Sequence, residues 1–229
     1  STHRQVIFYD QLGCGESFVE GHPELWTLET WIEELEALRA WLRLDRVHLL
    51  GQSWGGMLII AYLVDRKPKG IVSAILSSRL ISFMSPEERE AIAKATESGR
   101  FDEPDYLKAN DHYTTLHACE ITEDSPECLR RKKRFGTESY VEAWGPNEYT
   151  PTGTLRDFDY TGRLNAIHVP TLIISGTNDE CTPLIAKTMH DGIAGSEWEL
   201  MDGARHMTFI DQTDKYKRLL AEWLRKTEA

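Results

Sequence analysis

The chain has 229 residues, of which 41% are hydrophobic, and a formal net charge of −11 at pH 7. This composition supports one sizeable core, while the acidic balance repels polyanions, so we expect no nucleic-acid partner. The negative charge either attracts a cationic substrate or serves solubility alone. No apolar run approaches the roughly 20 residues that cross a bilayer, and Ser1 to Gln5 do not resemble a signal peptide, so no membrane partner is expected.

The first third of the chain alternates between strand and helix patterns. Val6 to Tyr9 is predicted to form a buried strand that ends in the glycine-rich turn 10–17. Apolar residues at helical spacing from Leu28 to Leu42 predict an amphipathic helix, with Thr30 and Glu33 as a capping box. The other elements predicted here are a strand over 47–50, a buried helix over 57–64 and a strand over 71–76.

Between about residues 79 and 164 the charge rises and the apolar periodicity weakens. Segments that begin at Ser85, Cys128 and Glu138 are typical of short helices, and the connection is too long for a simple crossover. We interpret this region as a helical cap over the carboxyl edge of a sheet. The predicted organisation is a core in two parts, 1–78 and 165–229, with the cap at 79–164.

The last part of the chain returns to the strand and helix pattern. Strands are predicted at Thr171 to Ser175 and Trp198 to Met201, with a helix capped by Thr182 between them and a closing helix at Lys215 to Arg225. Strands that alternate with helices indicate a mostly parallel sheet with helices on both faces. The predicted fold class is therefore α/β.

The pentapeptide Gly51-Gln52-Ser53-Trp54-Gly55 lies between a predicted strand and a predicted helix. This is the place of a nucleophile elbow, in which a sharp turn lifts the serine toward the substrate and flanking glycines relieve crowding. The sequence therefore predicts Ser53 as a nucleophile. The backbone N–H of Trp54, at the start of the helix, is the predicted oxyanion donor.

A serine nucleophile needs a base to take its proton and an acid to orient that base. In this architecture the acid precedes the histidine, and both follow strands. Asp179 follows the predicted strand at 171–175, and His206 follows the last strand, so these two residues are the predicted partners of Ser53. His168 precedes a strand and His190 lies in a predicted helix. The remaining histidines are interpreted as surface or loop residues: His3, His22, His48, His112 and His117.

The four cysteines have neither the spacing of a zinc site nor that of a disulfide framework. Free thiols in a reducing compartment are expected, and the predicted location is cytoplasmic. A loop disulfide between Cys119 and Cys128 stays open as an alternative. We expect no metal and no cofactor.

Taken together, the motifs resemble those of the proline iminopeptidase family, serine peptidases and amino-acid amidases of the α/β-hydrolase superfamily. The resemblance implies an α/β-hydrolase fold and cleavage of an amino-terminal residue, often proline, with Glu148 and Glu180 binding the α-ammonium group. A pair of partly desolvated carboxylates suits one cation and rejects a blocked terminus. The matching stretches are QVIFYDQLGCGES, DRVHLLGQSWGG, WGPNEYTPTGTLRDFDYTGRL, PTLIISGTNDECTP and GARHM.

The aromatic residues of the cap region leave two interpretations open. Trp144 and Tyr149, with Phe83 and Phe158 as weaker candidates, either line an apolar pocket for a proline ring or form the core of the cap.

One family motif is missing from this sequence. The family carries a His-Gly-Gly-Pro-Gly segment upstream of the strand that corresponds to 6–9, and its backbone supplies the second oxyanion donor. No such segment precedes Val6 here. We therefore expect the first strands of the fold to be absent from this chain, and a separate N-terminal fragment is a possible partner.

The leading hypothesis is a serine aminopeptidase or amidase that acylates Ser53 and deacylates with water activated by His206. Its substrate would be a small peptide or an amino-acid amide. An acyl transferase or a general amidase or esterase on the same triad is the first alternative. The second is a non-catalytic binding protein, which the intact Ser53, Asp179 and His206 argue against and the missing oxyanion segment favours.

Overall fold

A computed structural model of the protein describes residues 4–77, 94–95, 98–100, 102–119, 136–147 and 151–228. The chain divides into two compact units, the first from residues 1–46 and 121–159 and the second from residues 47–120 and 160–229. The division into a core and a cap at residues 79 and 164 stays a prediction. The helices of the described residues are α1 (Leu28–Trp41), α2 (Trp54–Arg66), α3 (Pro104–His117), α4 (Thr137–Ala143), α5 (Pro183–Gly192), α6 (Thr208–Asp211) and α7 (Thr213–Glu228).

The second unit is built on a parallel sheet. Within the described ranges it has four strands in the order β1-β2-β3-β4. Each of them extends the corresponding predicted strand by one or two residues, so these four predictions are confirmed. The strands are β1 (Val47–Gln52), β2 (Ile71–Ser77), β3 (Thr171–Gly176) and β4 (Glu197–Met201).

Both faces of this sheet are buried at its centre. Ile75, Leu172 and Ile174 share one face, against which α7 packs Tyr216 and Trp223. Their neighbours in the strands point the other way and are buried too, since β3 is buried along its whole length. Helices α2 and α5 also pack against the sheet. Burial on both faces is what a parallel sheet requires, and each buried aliphatic side chain contributes about 1.5–3 kcal/mol.

The N-cap of helix α1 in the first unit is Thr27, three residues before the Thr30 of the predicted capping box. The side chain of Thr27 accepts a hydrogen bond from the backbone N–H of Thr30 at 3.2 Å, so Thr30 lies inside the helix. The predicted box of Thr30 and Glu33 was wrong because Thr27 offers the same hydroxyl to the first turn. The buried stripe of α1 consists of Trp31, Ile32 and Leu35.

The predicted strand at Val6 to Tyr9 is wrong for the structure. These residues form neither strand nor helix, and the side chains of Val6 and Phe8 are 70% and 89% exposed. A strand is stabilised by a partner in a ladder, and among the described residues none pairs with this segment. The apolar run alone was therefore not sufficient.

Glu138 organises a loop of the first unit. Its carboxylate accepts hydrogen bonds from the backbone N–H of Gly21 at 2.7 Å, the backbone N–H of His22 at 3.2 Å and the indole N–H of Trp26 at 2.8 Å. These donors, the Gly21 N–H most of all, hold the pKa of Glu138 below its ordinary value. Glu138 belongs to α4, which confirms the short helix predicted at Glu138 to Trp144.

Other expectations meet the structure only in part. The helix predicted from Ser85 is largely, and that from Cys128 entirely, outside the described residues. Cys14, Cys119 and Cys181 are free thiols, and Cys128 lies outside the described part of the chain. No helix among the described residues is long and apolar enough to span a bilayer.

Candidate active site

Ser53, Asp179 and His206 all lie just beyond the carboxyl ends of strands in the second unit. They follow β1, β3 and β4, respectively. Because these strands are parallel, their carboxyl ends meet at one edge of the sheet. The edge therefore collects the three residues that the sequence predicts to act together.

Ser53 has the backbone geometry of a nucleophile elbow. Its φ of 55° and ψ of −118° are strained for a residue with a side chain. Hydrogen bonds hold the turn, since its N–H donates to the carbonyl of Ser77 at 2.8 Å and its carbonyl accepts from Gly56 at 2.9 Å. A Cβ on Gly51 would lie 2.3 Å from the carbonyl carbon of Gly55, so the turn requires glycine at position 51.

The predicted need for glycine does not extend to Gly55, where an added Cβ would meet no atom of the described residues within 4 Å outside its own helix. Trp54 is the first residue of α2, directly after Ser53. Its amide therefore lies at a helix N-terminus, where the aligned peptide dipoles favour negative charge. The oxyanion role of Trp54 stays a prediction.

Asp179 and His206 form a buried hydrogen-bonded pair. The imidazole Nδ1 donates to Oδ1 of Asp179 at 2.8 Å, and the side chains of His206 and Asp179 are 5% and 0% exposed. The same oxygen accepts the backbone N–H of Cys181 at 2.7 Å. A carboxylate that accepts from Nδ1 fixes the tautomer and leaves Nε2 for proton transfer.

Glu180 contacts the other side of the same imidazole. Its Oε1 lies 3.3 Å from Nε2 of His206, and its side chain is 5% exposed. Two carboxylates therefore contact one imidazole, Asp179 at Nδ1 and Glu180 at Nε2. The predicted role of His206 as a base requires that Nε2 be free of this contact with Glu180.

The loops that carry the acid and the histidine are tied to each other. A Cβ on Gly176 would lie 1.9 Å from the carbonyl oxygen of Ala204, so the two loops approach at a distance that only glycine permits. The N–H of Asn178 donates to that carbonyl at 3.0 Å, and the N–H of Thr177 donates to the carbonyl of Met201 at 3.1 Å. The Asp179 to His206 distance is thereby set by the backbone.

Gln52 connects the elbow to the histidine loop. Its side-chain amide donates to the carbonyl of His206 at 2.9 Å. Sequence reasoning assigned Gln52 no role, and its place beside Ser53 in the pentapeptide was the available signal. The bond brings the carboxyl end of β1 against the loop that carries the base.

Sequence reasoning also missed His117, Arg205 and Asp211. His117 ends α3, and its Nδ1 donates to the carbonyl of Asn178 at 3.0 Å. Arg205 pairs with Asp211 at 2.6 Å. The one signal in the sequence was that Arg205 precedes His206. His48 and His112, interpreted as surface or loop residues, lie in β1 and α3.

The predicted substrate-binding residues are spread over the chain. Trp144 follows α4 in the first unit, Glu180 lies beside His206 in the second, and Glu148 and Tyr149 fall outside the described residues. Their roles stay predictions. Within the described ranges no group of three or more His, Cys, Asp or Glu side chains is placed to hold a metal ion.

Comparisons with known proteins agree on a family. The sequence matches the α/β-hydrolase fold family over residues 1–213. A proline iminopeptidase of Lactobacillus helveticus (strain DPC 4571) is 55% identical over an alignment of 235 positions, which covers 96% of this chain and 80% of that protein. A proline iminopeptidase of Lactobacillus acidophilus is 52% identical with the same coverage. The crystal structure of a proline iminopeptidase of Mycobacterium smegmatis is 28% identical, with a TM-score of 0.80 over 96% of this chain and 79% of that chain.

Proposed function

Because the chain belongs to the proline iminopeptidase family of α/β hydrolases, we propose that it is a serine aminopeptidase that releases a proline-type residue from the amino terminus of peptides or amides. The observation that carries the proposal is the buried pair of Asp179 and His206, which shares the carboxyl edge of the sheet with the strained Ser53. A nucleophile on an elbow and a base with a fixed tautomer are the requirements of acyl transfer through serine.

The reaction has two halves. Nε2 of His206 takes the Ser53 proton while Oγ attacks the carbonyl carbon of the first residue, and the N–H of Trp54 donates to the oxyanion. The imidazolium then gives its proton to the departing amine, and the C–N bond breaks to leave an acyl-enzyme. In the second half His206 deprotonates water, which attacks the ester, and the free amino acid leaves as the proton returns to Ser53.

Recognition of the free amino terminus is assigned to Glu148 and Glu180. The support for Glu180 is its burial, since a carboxylate that is 5% exposed gains most from a cationic ligand. A substrate ammonium that binds Glu180 also draws this carboxylate from Nε2 of His206, so binding would free the base that the reaction needs. Trp144 and Tyr149 are proposed to line the pocket for the ring of the first residue.

The test is covalent labelling with a fluorophosphonate probe, followed by peptide mapping. Ser53 is expected to carry the label, and Ser53→Ala is expected to abolish labelling. The chain offers a matched control in Ser73, whose Oγ lies 2.7 Å from Nδ1 of His48 but which is buried in the middle of β2. Ser73→Ala should keep the labelling, and a label on any residue other than Ser53 contradicts the mechanism.

A second measurement addresses the substrate. Hydrolysis of prolyl amide is compared with hydrolysis of N-acetylprolyl amide and of a simple ester. The free amine is expected to be the preferred substrate. A preference for the acetylated compound would replace the aminopeptidase with a general amidase or esterase on the same three residues.

A further inference from the structure

The carboxyl end of α3 is bonded to the loop that carries His206. The last carbonyl groups of a helix accept no hydrogen bonds from within the helix, so they need donors from elsewhere. Here the carbonyls of Thr115, His117 and Ala118 accept from Arg205 Nη1 at 3.0 Å, from the backbone N–H of His206 at 2.8 Å and from Met207 N–H at 3.1 Å. Three consecutive residues, 205–207, therefore donate hydrogen bonds to the carbonyl groups at the carboxyl end of α3.

Arg205 is the residue with most bonds in this arrangement. Its Nε and Nη2 donate to Oδ2 and Oδ1 of Asp211 at 3.1 Å and 2.6 Å, and its own backbone N–H donates to Oδ2 at 2.7 Å. The fork-shaped pair is mostly buried, with side chains 23% and 13% exposed. The guanidinium also lies at the negative end of the α3 dipole, where a cation is favoured.

The negative charge of Asp211 suits an acceptor for the Arg205 guanidinium. Burial by itself raises the pKa of its carboxyl group, but the hydrogen bonds and the positive charge of Arg205 outweigh burial and lower the pKa overall. Asp211 is therefore an anion near neutral pH, and its pair with Arg205 persists there.

The same helix end reaches the loop of the acid. The ring of His117, the last residue of α3, donates from Nδ1 to the carbonyl of Asn178 at 3.0 Å, next to Asp179. One end of α3 thus contacts the residue before the acid and the backbone of the base. Both contacts lie within the second unit, and they set the two loops against a common helix.

We propose that Arg205 is a positioning residue for His206, held in place by Asp211 and by the carboxyl end of α3. The inference rests on the proposed function, because positioning matters only if His206 transfers a proton. The ring of His206 is fixed at Nδ1 by Asp179. Its backbone is fixed by its own bonds to His117 and Gln52 and by the bonds of the flanking residues Arg205 and Met207. A displacement of about 1 Å in a catalytic group can cost about 100-fold in rate.

Arg163 offers the matched control. It also makes an ion pair at 2.6 Å, with Asp65 of α2, and its guanidinium lies over the ring of Tyr160. Arg163→Met removes a cation and an ion pair from the same unit without touching the loops of Asp179 and His206. Arg163→Met therefore shows how the loss of an ion pair elsewhere in this unit changes the melting temperature, and how far that change alone lowers activity.

The experiment compares the parent with Arg205→Met, Arg205→Lys and Arg163→Met. For each, the rate constant of labelling by a fluorophosphonate, kcat and KM for prolyl amide, and the melting temperature are measured. For Arg205→Met we expect a loss of about 10- to 100-fold in both the labelling rate and kcat, with KM nearly unchanged. Arg205→Lys should recover part of the loss, because an ammonium still reaches Asp211. Arg163→Met should keep both rates.

Labelling of Arg205→Met at the rate of the parent would overturn the inference, as would equal losses in Arg205→Met and Arg163→Met. If Arg205→Met does not fold, the near-isosteric Asp211→Asn takes its place, with the same expectation and the same refutation. Absence of labelling in the parent would instead overturn the serine mechanism itself, and the inference with it. The two failures are thereby distinguishable.

Discussion

The substitution Glu180→Gln tests both the contact of this side chain with His206 and its proposed contact with the substrate ammonium. The change removes a charge and keeps the shape. In the structure the carboxylate is 5% exposed and lies 3.3 Å from Nε2 of His206. In the proposed reaction it binds the substrate ammonium. The same substitution should therefore act on substrate recognition and on the proton transfer, with opposite signs.

The loss in recognition follows from burial. Removing one partner of a desolvated ion pair costs about 2–5 kcal/mol, because the other charge is left unpaired. At about 1.4 kcal/mol for each factor of ten, kcat/KM for prolyl amide should fall by about 30- to 4,000-fold. A solvated pair would contribute less than about 1 kcal/mol. N-acetylprolyl amide has no ammonium, so its kcat/KM should change much less.

The gain concerns the base. In the structure Oε1 of Glu180 lies 3.3 Å from Nε2 of His206, the atom that takes the serine proton in the proposed reaction. A hydrogen bond to a charged carboxylate is roughly twice as strong as one to a neutral amide, so Gln should hold Nε2 more weakly than Glu does. The acetylated compound has no ammonium to draw Glu180 away, so its kcat/KM should rise modestly in Glu180→Gln.

The assay is kcat/KM for both compounds at neutral pH, with the parent and Glu180→Gln. Glu197→Gln is the control, because Glu197 pairs with Lys226 at a surface where its side chain is 49% exposed. The reasoning is refuted if Glu180→Gln leaves the ratio of the two substrates unchanged. It also fails if kcat/KM for the acetylated compound falls in Glu180→Gln.

Two further predictions concern the base and a structural carboxylate. His206→Gln should lower turnover by several orders of magnitude, about 10⁴-fold or more, with the melting temperature close to that of the parent; turnover near the parent's would remove His206 from the mechanism. The lowered pKa of Glu138, caused first by the Gly21 N–H and then by the Trp26 indole, means that its contribution to stability is complete above the pKa of the unfolded chain and is lost as the pH falls through the lower folded value. Urea unfolding of the parent and Glu138→Gln should therefore differ at pH 7 and converge toward pH 3 (below the ordinary carboxyl range), and a constant difference would exclude this linkage.

The sequence predicted the elbow and the four strands because their signals are local. A short apolar strand, a tight turn that needs Gly51 and an apolar helix follow one another within 18 residues from Val47 to Val64. Asp179 and His206 were predicted by the same means, since each lies in the loop after a strand. The order of strands in a parallel sheet then brings them to one edge without further information.

Contacts between distant segments could not be predicted in this way. The bond from Arg205 to the carbonyl of Thr115 joins residues 90 positions apart, and that from His117 to Asn178 joins residues 61 apart. Neither pair has a periodic or spacing signal. The wrong strand at Val6 to Tyr9 has the same cause, because a strand depends on a partner that the apolar run does not specify.

The adjacency of Asp179 and Glu180 gives the site a property that neither residue has alone. Asp179 accepts from Nδ1 of His206 and Glu180 contacts Nε2, so two consecutive residues of one loop hold both nitrogens of one ring. In the proposed reaction Asp179 orients the base throughout. Glu180 contacts the nitrogen that must receive the serine proton in that reaction, and a substrate with a free ammonium is the ligand that would draw Glu180 away. Selection for a free amino terminus and activation of the base would then be a single event at Glu180, and a blocked substrate would fail both to bind and to free the base.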